Sequence, residues 1–162
     1  MKTLRKFFLT VFLLPGMVLP GFAESWVKFA GVEGDGNGTP EREGWSGLKS
    51  YKDKVKATDT GVKIESVKIT KCADKASVGL AVKMATGAVI PEVTLEFTRQ
   101  NSDGVTEVYL IVTYCNVTIT GIDTELPEGE DAKLEETVCI TATEKKITDP
   151  KTGETTTLGG DP

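Results

Sequence analysis

Apolar positions alternate with polar ones at two-residue spacing over most of this chain, and recur at helical spacing in one stretch, Thr70–Pro91. There Ala76, Leu80, Ala81, Met84 and Ala85 repeat every three or four residues while Lys75 and Lys83 fall off the stripe. The pattern predicts an amphipathic helix from Lys75 to Thr86. Asp74 and Ser77 each offer a short side-chain oxygen to the orphan N–H groups of a first turn, and Gly87 stands where a left-handed terminal residue is wanted. A helix of about a dozen residues is marginal alone in water, and Gly79 costs it roughly 1 kcal/mol relative to alanine. Burying Leu80, Met84 and a flanking valine at roughly 1.5–3 kcal/mol each outweighs that deficit, so the helix must dock on a sheet.

The remainder reads as strand and turn. Trp26–Val32 alternates and runs into a glycine-rich loop, Glu33–Thr39; Glu43–Tyr51 is a second strand, followed by a polar link over Lys52–Gly61. Val62–Thr70 is a third strand whose apolar phase changes between Ile64 and Val67, which predicts a bulge near Glu65. After the helix, Val93, Leu95 and Phe97 alternate with Thr94, Glu96 and Thr98 in a half-buried strand. A turn at Asn101–Gly104 leads to Glu107–Thr120, whose first half is apolar on both faces, leaving one face for the core and one for the helix or a second subunit. An acidic loop and one more strand, Glu135–Lys146, precede a tail with room for one short strand. Short strands, turn signals and a single helix give a mostly β fold, an antiparallel β-barrel or sandwich with one flanking α-helix.

The first 23 residues have the three parts of a secretory leader: Lys2, Arg5 and Lys6, then an apolar run from Phe7, then the small residues Gly21 and Ala23 before Glu24. Pro15 and Pro20 interrupt the run short of the ~20 residues that span a bilayer. The expected division is therefore a signal peptide over 1–23, cut after Ala23, and one domain over 24–162, exported to the periplasm or the cell exterior without stable membrane insertion. The 162-residue chain has 19 basic and 24 acidic residues, and losing the three leader cations takes the formal charge from −5 to −8. That balance argues against a nucleic-acid partner. The chain has no histidine, which removes Ser–His and Cys–His nucleophile systems and His-based zinc sites.

Three cysteines, Cys72, Cys115 and Cys139, allow at most one intramolecular disulfide. A hairpin centred on Pro127 would set Cys115 opposite Cys139, and a one-residue slip would put them on opposite faces; two separate small residues is the competing reading. Cys72 lacks a neighbouring base and reads as a packing residue. The oxygen-bearing positions of Glu33–Thr39 resemble a calcium loop, but the twelfth position is Gly44 where a bidentate carboxylate belongs. The run Glu128–Asp131 reads as a solvated acidic loop. No catalytic residue, cofactor or metal is expected.

Taken in order, WVKFAGVEGD, EGWSGLKSY, VKITKCADKASVGLAVKMATG, EVTLEF with EVYLIVTYCNV, and ETVCITAT resemble the haemolysin-coregulated protein family, the tube subunits of the bacterial type VI secretion system. The segment Thr70–Ser77, T-K-x-x-D-K-A-S, is its most specific part. The resemblance implies a small β-barrel with one flanking helix, assembled as a hexameric ring that stacks into a tube and can hold or protect effector proteins in its lumen. It implies a structural subunit and not an enzyme. The alternative is an extracytoplasmic β-barrel binding module outside any tube.

Overall fold

The computed structural model describes residues 24–159. The expected leader and its cut after Ala23 lie outside the described residues. Strands β1 (Ser25–Phe29), β2 (Ser46–Thr58) and β3 (Gly61–Cys72) precede the helix α1 (Ala76–Thr86). After it come β4 (Ile90–Gln100), β5 (Thr106–Glu125), β6 (Glu135–Thr141), β7 (Glu144–Thr148) and β8 (Thr155–Gly159). All pairings are antiparallel. The order β4-β1-β2-β3-β6-β5, with β5 pairing back to β4, closes a barrel. Closure removes the free edges that an open sheet exposes. Strand β7 lies along the other edge of β5, and β8 pairs with β7.

The interior follows from the alternation. Val27 and Phe29 of β1, Ile64, Val67 and Ile69 of β3, Val93 and Leu95 of β4, Val112, Tyr114, Val117 and Ile119 of β5, and Val138 and Ile140 of β6 all point inward and are buried. The bulge sits where the phase change placed it. Lys54 faces Ser66 and Val55 faces Ile64, leaving Glu65 as the extra residue.

Three expectations about the strands are corrected. The polar link Lys52–Gly61 is the far half of a long β2–β3 hairpin, with Thr58 paired to Gly61 across the turn. Its inner face carries Tyr51, Asp53 and Val55, which pack toward the core or hydrogen-bond within it, while lysines fill the outer face. Glu135–Lys146 is two strands. Inward positions are even in β6 (Glu136, Val138, Ile140) and shift to Lys145 in β7, so the chain changes phase at Ala142–Thr143. The first strand ends at Phe29, where Gly31 takes φ 75° and Val32 folds back to bridge Phe29.

Both proposed N-terminal oxygens act at α1. Asp74 Oδ1 accepts the Ala76 N–H at 3.0 Å, and Ser77 Oγ accepts the Asp74 N–H at 3.0 Å, a reciprocal capping box. At the other end Gly87 is left-handed (φ 63°), with Gly87 N–H donating to Met84 O and Ala88 N–H to Lys83 O. That pair of bonds is a Schellman close. The buried face is narrower than the expected stripe. Ala76 and Leu80 are buried, whereas Ala81, Met84 and Ala85 are exposed.

Candidate assembly interface

The T-K-x-x-D-K-A-S segment builds a buried ionic box that fixes the start of α1 to the barrel. Lys71 is 0% exposed, its ammonium lying 2.7 Å from Asp74 Oδ1, 3.0 Å from Glu136 Oε2 and 3.0 Å from Cys72 O. Ser46 Oγ donates to Asp74 Oδ2 at 2.6 Å, and Ser77 Oγ donates to Glu136 Oε2 at 2.6 Å. Among the described residues no buried side-chain polar atom lacks a partner. Each group here is engaged by its neighbours, so the box positions the helix. It has no free nucleophile or base.

With its inner face docked, α1 turns a second apolar face to solvent. Val78, Ala81, Val82 and Ala85 recur along the outer side, and Val89 follows the cap. Val78, Val82 and Val89 are 74%, 56% and 54% exposed. The pattern of β5 predicts spare apolar surface over Val108–Tyr114. That is corrected: only Tyr109 there is exposed, Val108 and Ile111 are half-buried, and Val112 and Tyr114 are in the core. The signal for the helix face was present in Val78, Val82 and Ala85, but an alternative stripe on the same short helix drew the assignment. The polar positions Lys63 and Lys68 of β3 and Glu92 of β4 are exposed, and Thr94, Glu96 and Thr98 are half-buried.

Two further polar groupings hold the barrel wall. Tyr114, wholly buried, donates its hydroxyl to Asp53 Oδ2 at 2.9 Å and also hydrogen-bonds Tyr51, while Lys145 lies 2.5 Å from Asp53. Burial raises the ionisation of both tyrosines well above the usual phenol range. Burial also pushes Asp53 upward, but hydrogen bonds from Lys145 and Tyr114 outweigh it and hold the carboxyl below its ordinary value. On the outer side the Arg42 guanidinium lies 5.4 Å from the Trp26 ring and 5.3 Å from the Trp45 ring, and pairs with Glu96 at 2.5 Å. Sequence reasoning missed both groupings, because neither the tyrosines nor the arginine carry a spacing that predicts their partners.

The β5–β6 hairpin is centred three residues beyond Pro127, since Glu125 pairs with Glu135 and Gly121 with Cys139. Cys115 instead faces Glu92 and Glu144. The register that would join Cys115 to Cys139 is therefore not formed, and Cys72, Cys115 and Cys139 are free thiols. Burial and a hydrogen bond to Glu144 raise the Cys115 thiol above its usual value, the opposite of an activated nucleophile. In the glycine-rich loop a side chain at Gly34 would meet Trp45 O at 2.2 Å, so this glycine serves the close approach of two backbone segments. Among the described residues no three Cys, Asp or Glu side chains converge as metal ligands, and no helix is long and apolar enough to cross a membrane.

A model of the family described as "Type VI secretion system effector, Hcp" matches residues 26–154. A comparison with curated protein sequences finds no match. Among solved structures, a crystal structure of an Hcp protein is similar at TM-score 0.76 with 12% identity, over 86% of this chain and 98% of that one. Secreted protein Hcp3 from Pseudomonas aeruginosa is similar at TM-score 0.70 with 19% identity, over 86% and 99%. Hcp1 from Salmonella typhimurium gives TM-score 0.69 and 20% identity, over 85% and 93%.

Proposed function

The chain belongs to the Hcp family of the type VI secretion system, and from that premise we propose that it acts by assembly, as the subunit of a hexameric ring whose lumen holds or protects effector proteins. One observation supports this reading. The outer face of α1 presents Val78, Ala81, Val82, Ala85 and, past the cap, Val89 as apolar surface, while the other large apolar residues exposed among the described ones are Met84, Val105, Tyr109, Leu126 and Leu134. Such a surface is costly on an isolated copy and is what a neighbouring subunit covers. The capping box and the Schellman close hold that face in a fixed orientation, which a repeated contact around a closed ring requires. In this reading the leader over Met1–Ala23 is removed during export, and the ring forms in the periplasm or outside the cell.

Replacing Val78 and Val82 together by Asp tests it. The substituted residues touch solvent in a single copy, so circular dichroism should stay close to wild type, and the melting midpoint should fall only by what assembly contributes. Size-exclusion chromatography should shift from the assembled species to the single copy, and negative-stain images should lose their central hole. An unchanged elution volume would remove the helix face from the contact. A wild-type protein that elutes as a single copy at every concentration would instead leave the barrel as a stand-alone binding module.

A further inference from the structure

The outward face of the β2–β3 hairpin is a ladder of lysines. Lys52 stands directly opposite Lys68, Lys54 opposite Ser66, and Lys56 opposite Lys63. All five lysines are exposed. Directly opposed residues lie about 5 Å apart at Cβ, and like charges at that spacing destabilise the pair. Lys52 and Lys56 are roughly 13 Å apart at strand rise, so the five ammonium groups crowd a short strip. The acid among them is the bulged Glu65, held by Lys54 at 2.6 Å, and Asp59 sits in the turn beyond the last rung. Lysines commonly guard an unpaired strand edge, and beyond Leu48 β2 pairs with β3 alone among the described residues. One charge per rung would meet that need. Two rungs instead carry lysine on both strands, one of them at Lys68, where β3 is flanked by β6 and has no free edge. The repulsion is present in the isolated chain, and a dense array of anions offsets it.

The chemistry of the ladder selects among anionic partners. Every cation on it is lysine, a hydrated point charge without the planar fork that fixes one carboxylate or phosphate bidentately. No aromatic or apolar side chain stands among these outward positions. The face therefore lacks the desolvated centre of a protein contact and the stacking platform of a single-stranded nucleic-acid site. What it matches is a fluid layer of charged headgroups, at which each nearby lysine strengthens partitioning roughly fivefold. The chain's excess of acids does not cancel this attraction. A surface meets one face only, and charges farther off than about 8 Å are screened at physiological salt.

We propose that the Lys52–Lys68 and Lys56–Lys63 rungs, with Lys54 between them, dock the barrel on a bilayer surface that carries anionic phospholipid headgroups. The docking is peripheral. Hydrated ammonium groups meet headgroup phosphates, no apolar residue inserts, and the protein comes off as salt rises. It needs no neighbouring subunit, so it goes beyond the assembly reading and does not rest on it. In a ring, several ladders acting together would strengthen the attachment without any new contact.

The test uses the chain from Glu24 to Pro162, which holds every strand of the closed barrel and the buried core described above. Sedimentation with vesicles of phosphatidylcholine and phosphatidylglycerol in equal parts should carry the protein down at low salt, and vesicles of phosphatidylcholine alone should leave it in solution. Lys52→Gln combined with Lys68→Gln should lower the partition coefficient about 25-fold, two lysines at roughly fivefold each. Lys133→Gln combined with Lys151→Gln removes two exposed lysines from other connections for the same change in net charge, and should alter binding by about twofold or less. Without vesicles, the first variant should melt no lower than wild type, because an opposed pair of charges is gone. Wild-type protein that ignores both vesicles, binds both equally or stays bound at high salt would overturn the proposal. So would equal losses in the two paired variants, or a first variant that melts lower. Inorganic phosphate matched to the lipid phosphate should release no protein, and duplex DNA in the same amount should leave it on the vesicles; release by DNA would reassign the ladder to a nucleic acid. A single copy that binds the anionic vesicles would leave this proposal standing and the ring reading refuted.

Discussion

Lys71 and Glu136 meet inside the barrel rim, Nζ to Oε2 at 3.0 Å, with the lysine sealed from solvent and the carboxylate nearly so. Asp74 shares the same ammonium. Removing the cation leaves two carboxylates facing each other without a counter-charge, and breaking a buried pair from one side costs about 3–5 kcal/mol. Lys71→Met should therefore destabilise the fold by about 3–5 kcal/mol, read as a lower urea midpoint at unchanged slope. A loss below about 1 kcal/mol would mean that the box is not what anchors α1.

Gly79 makes the same point about the docked helix from the packing side. A Cβ at this position would meet Val32 Cγ1 at 2.9 Å, and valine has little freedom to turn away. Gly79→Ala should fail to deliver the roughly 1 kcal/mol that alanine normally adds to a helix interior. Combining it with Val32→Ala should recover part of that gain, as read by thermal melts of the single and double variants.

The Asp53 cluster should contribute to both the acid and the alkaline limits of stability. Hydrogen bonds from Lys145 and Tyr114 hold Asp53 below its unfolded value despite burial. Its contribution is thus present above about pH 3.9 and lost as pH falls through the lower folded value. Asp53→Asn should flatten the acid limb of a denaturation-midpoint profile. Tyr51 and Tyr114 are shifted the other way by burial. Their contribution is complete below about pH 10 and is lost as pH rises further. Absorbance at 295 nm should show these two tyrosinates forming only as the barrel unfolds. Ionisation of more than one of the three tyrosines in the folded state would contradict the cluster.

Arg42 lies between two indole rings and against Glu96. Arg42→Ala should cost about 1–2 kcal/mol and change the tryptophan emission, and Arg42→Lys should restore only part of it, because lysine lacks the planar stacking surface.

Much of this architecture was readable along the chain, for reasons that particular residues make plain. Asp74, Ser77 and Gly87 are local signals, and they act as the local rules require. The phase change beside Glu65 marks the bulge because a two-residue period cannot shift without an extra residue. What escaped was whatever depends on distant partners. The β2–β3 hairpin is hidden by its outer lysines, which look like linker composition until Tyr51 and Asp53 find Tyr114 and Lys145 across the barrel. The Cys115–Cys139 pairing assumed a hairpin centred on Pro127, whereas Glu125 pairs with Glu135 and moves Cys139 opposite Gly121. On α1 both faces are apolar, and the period alone does not say which one docks. Leu80 went in and Val78 and Val82 stayed out.

The most direct measurement of the central claim is the solution mass of the purified protein by light scattering coupled to size-exclusion chromatography. The expected result is a species of six copies that the paired Val78→Asp and Val82→Asp substitutions reduce to one. A mass of one copy for the wild-type protein across the concentration range would contradict it.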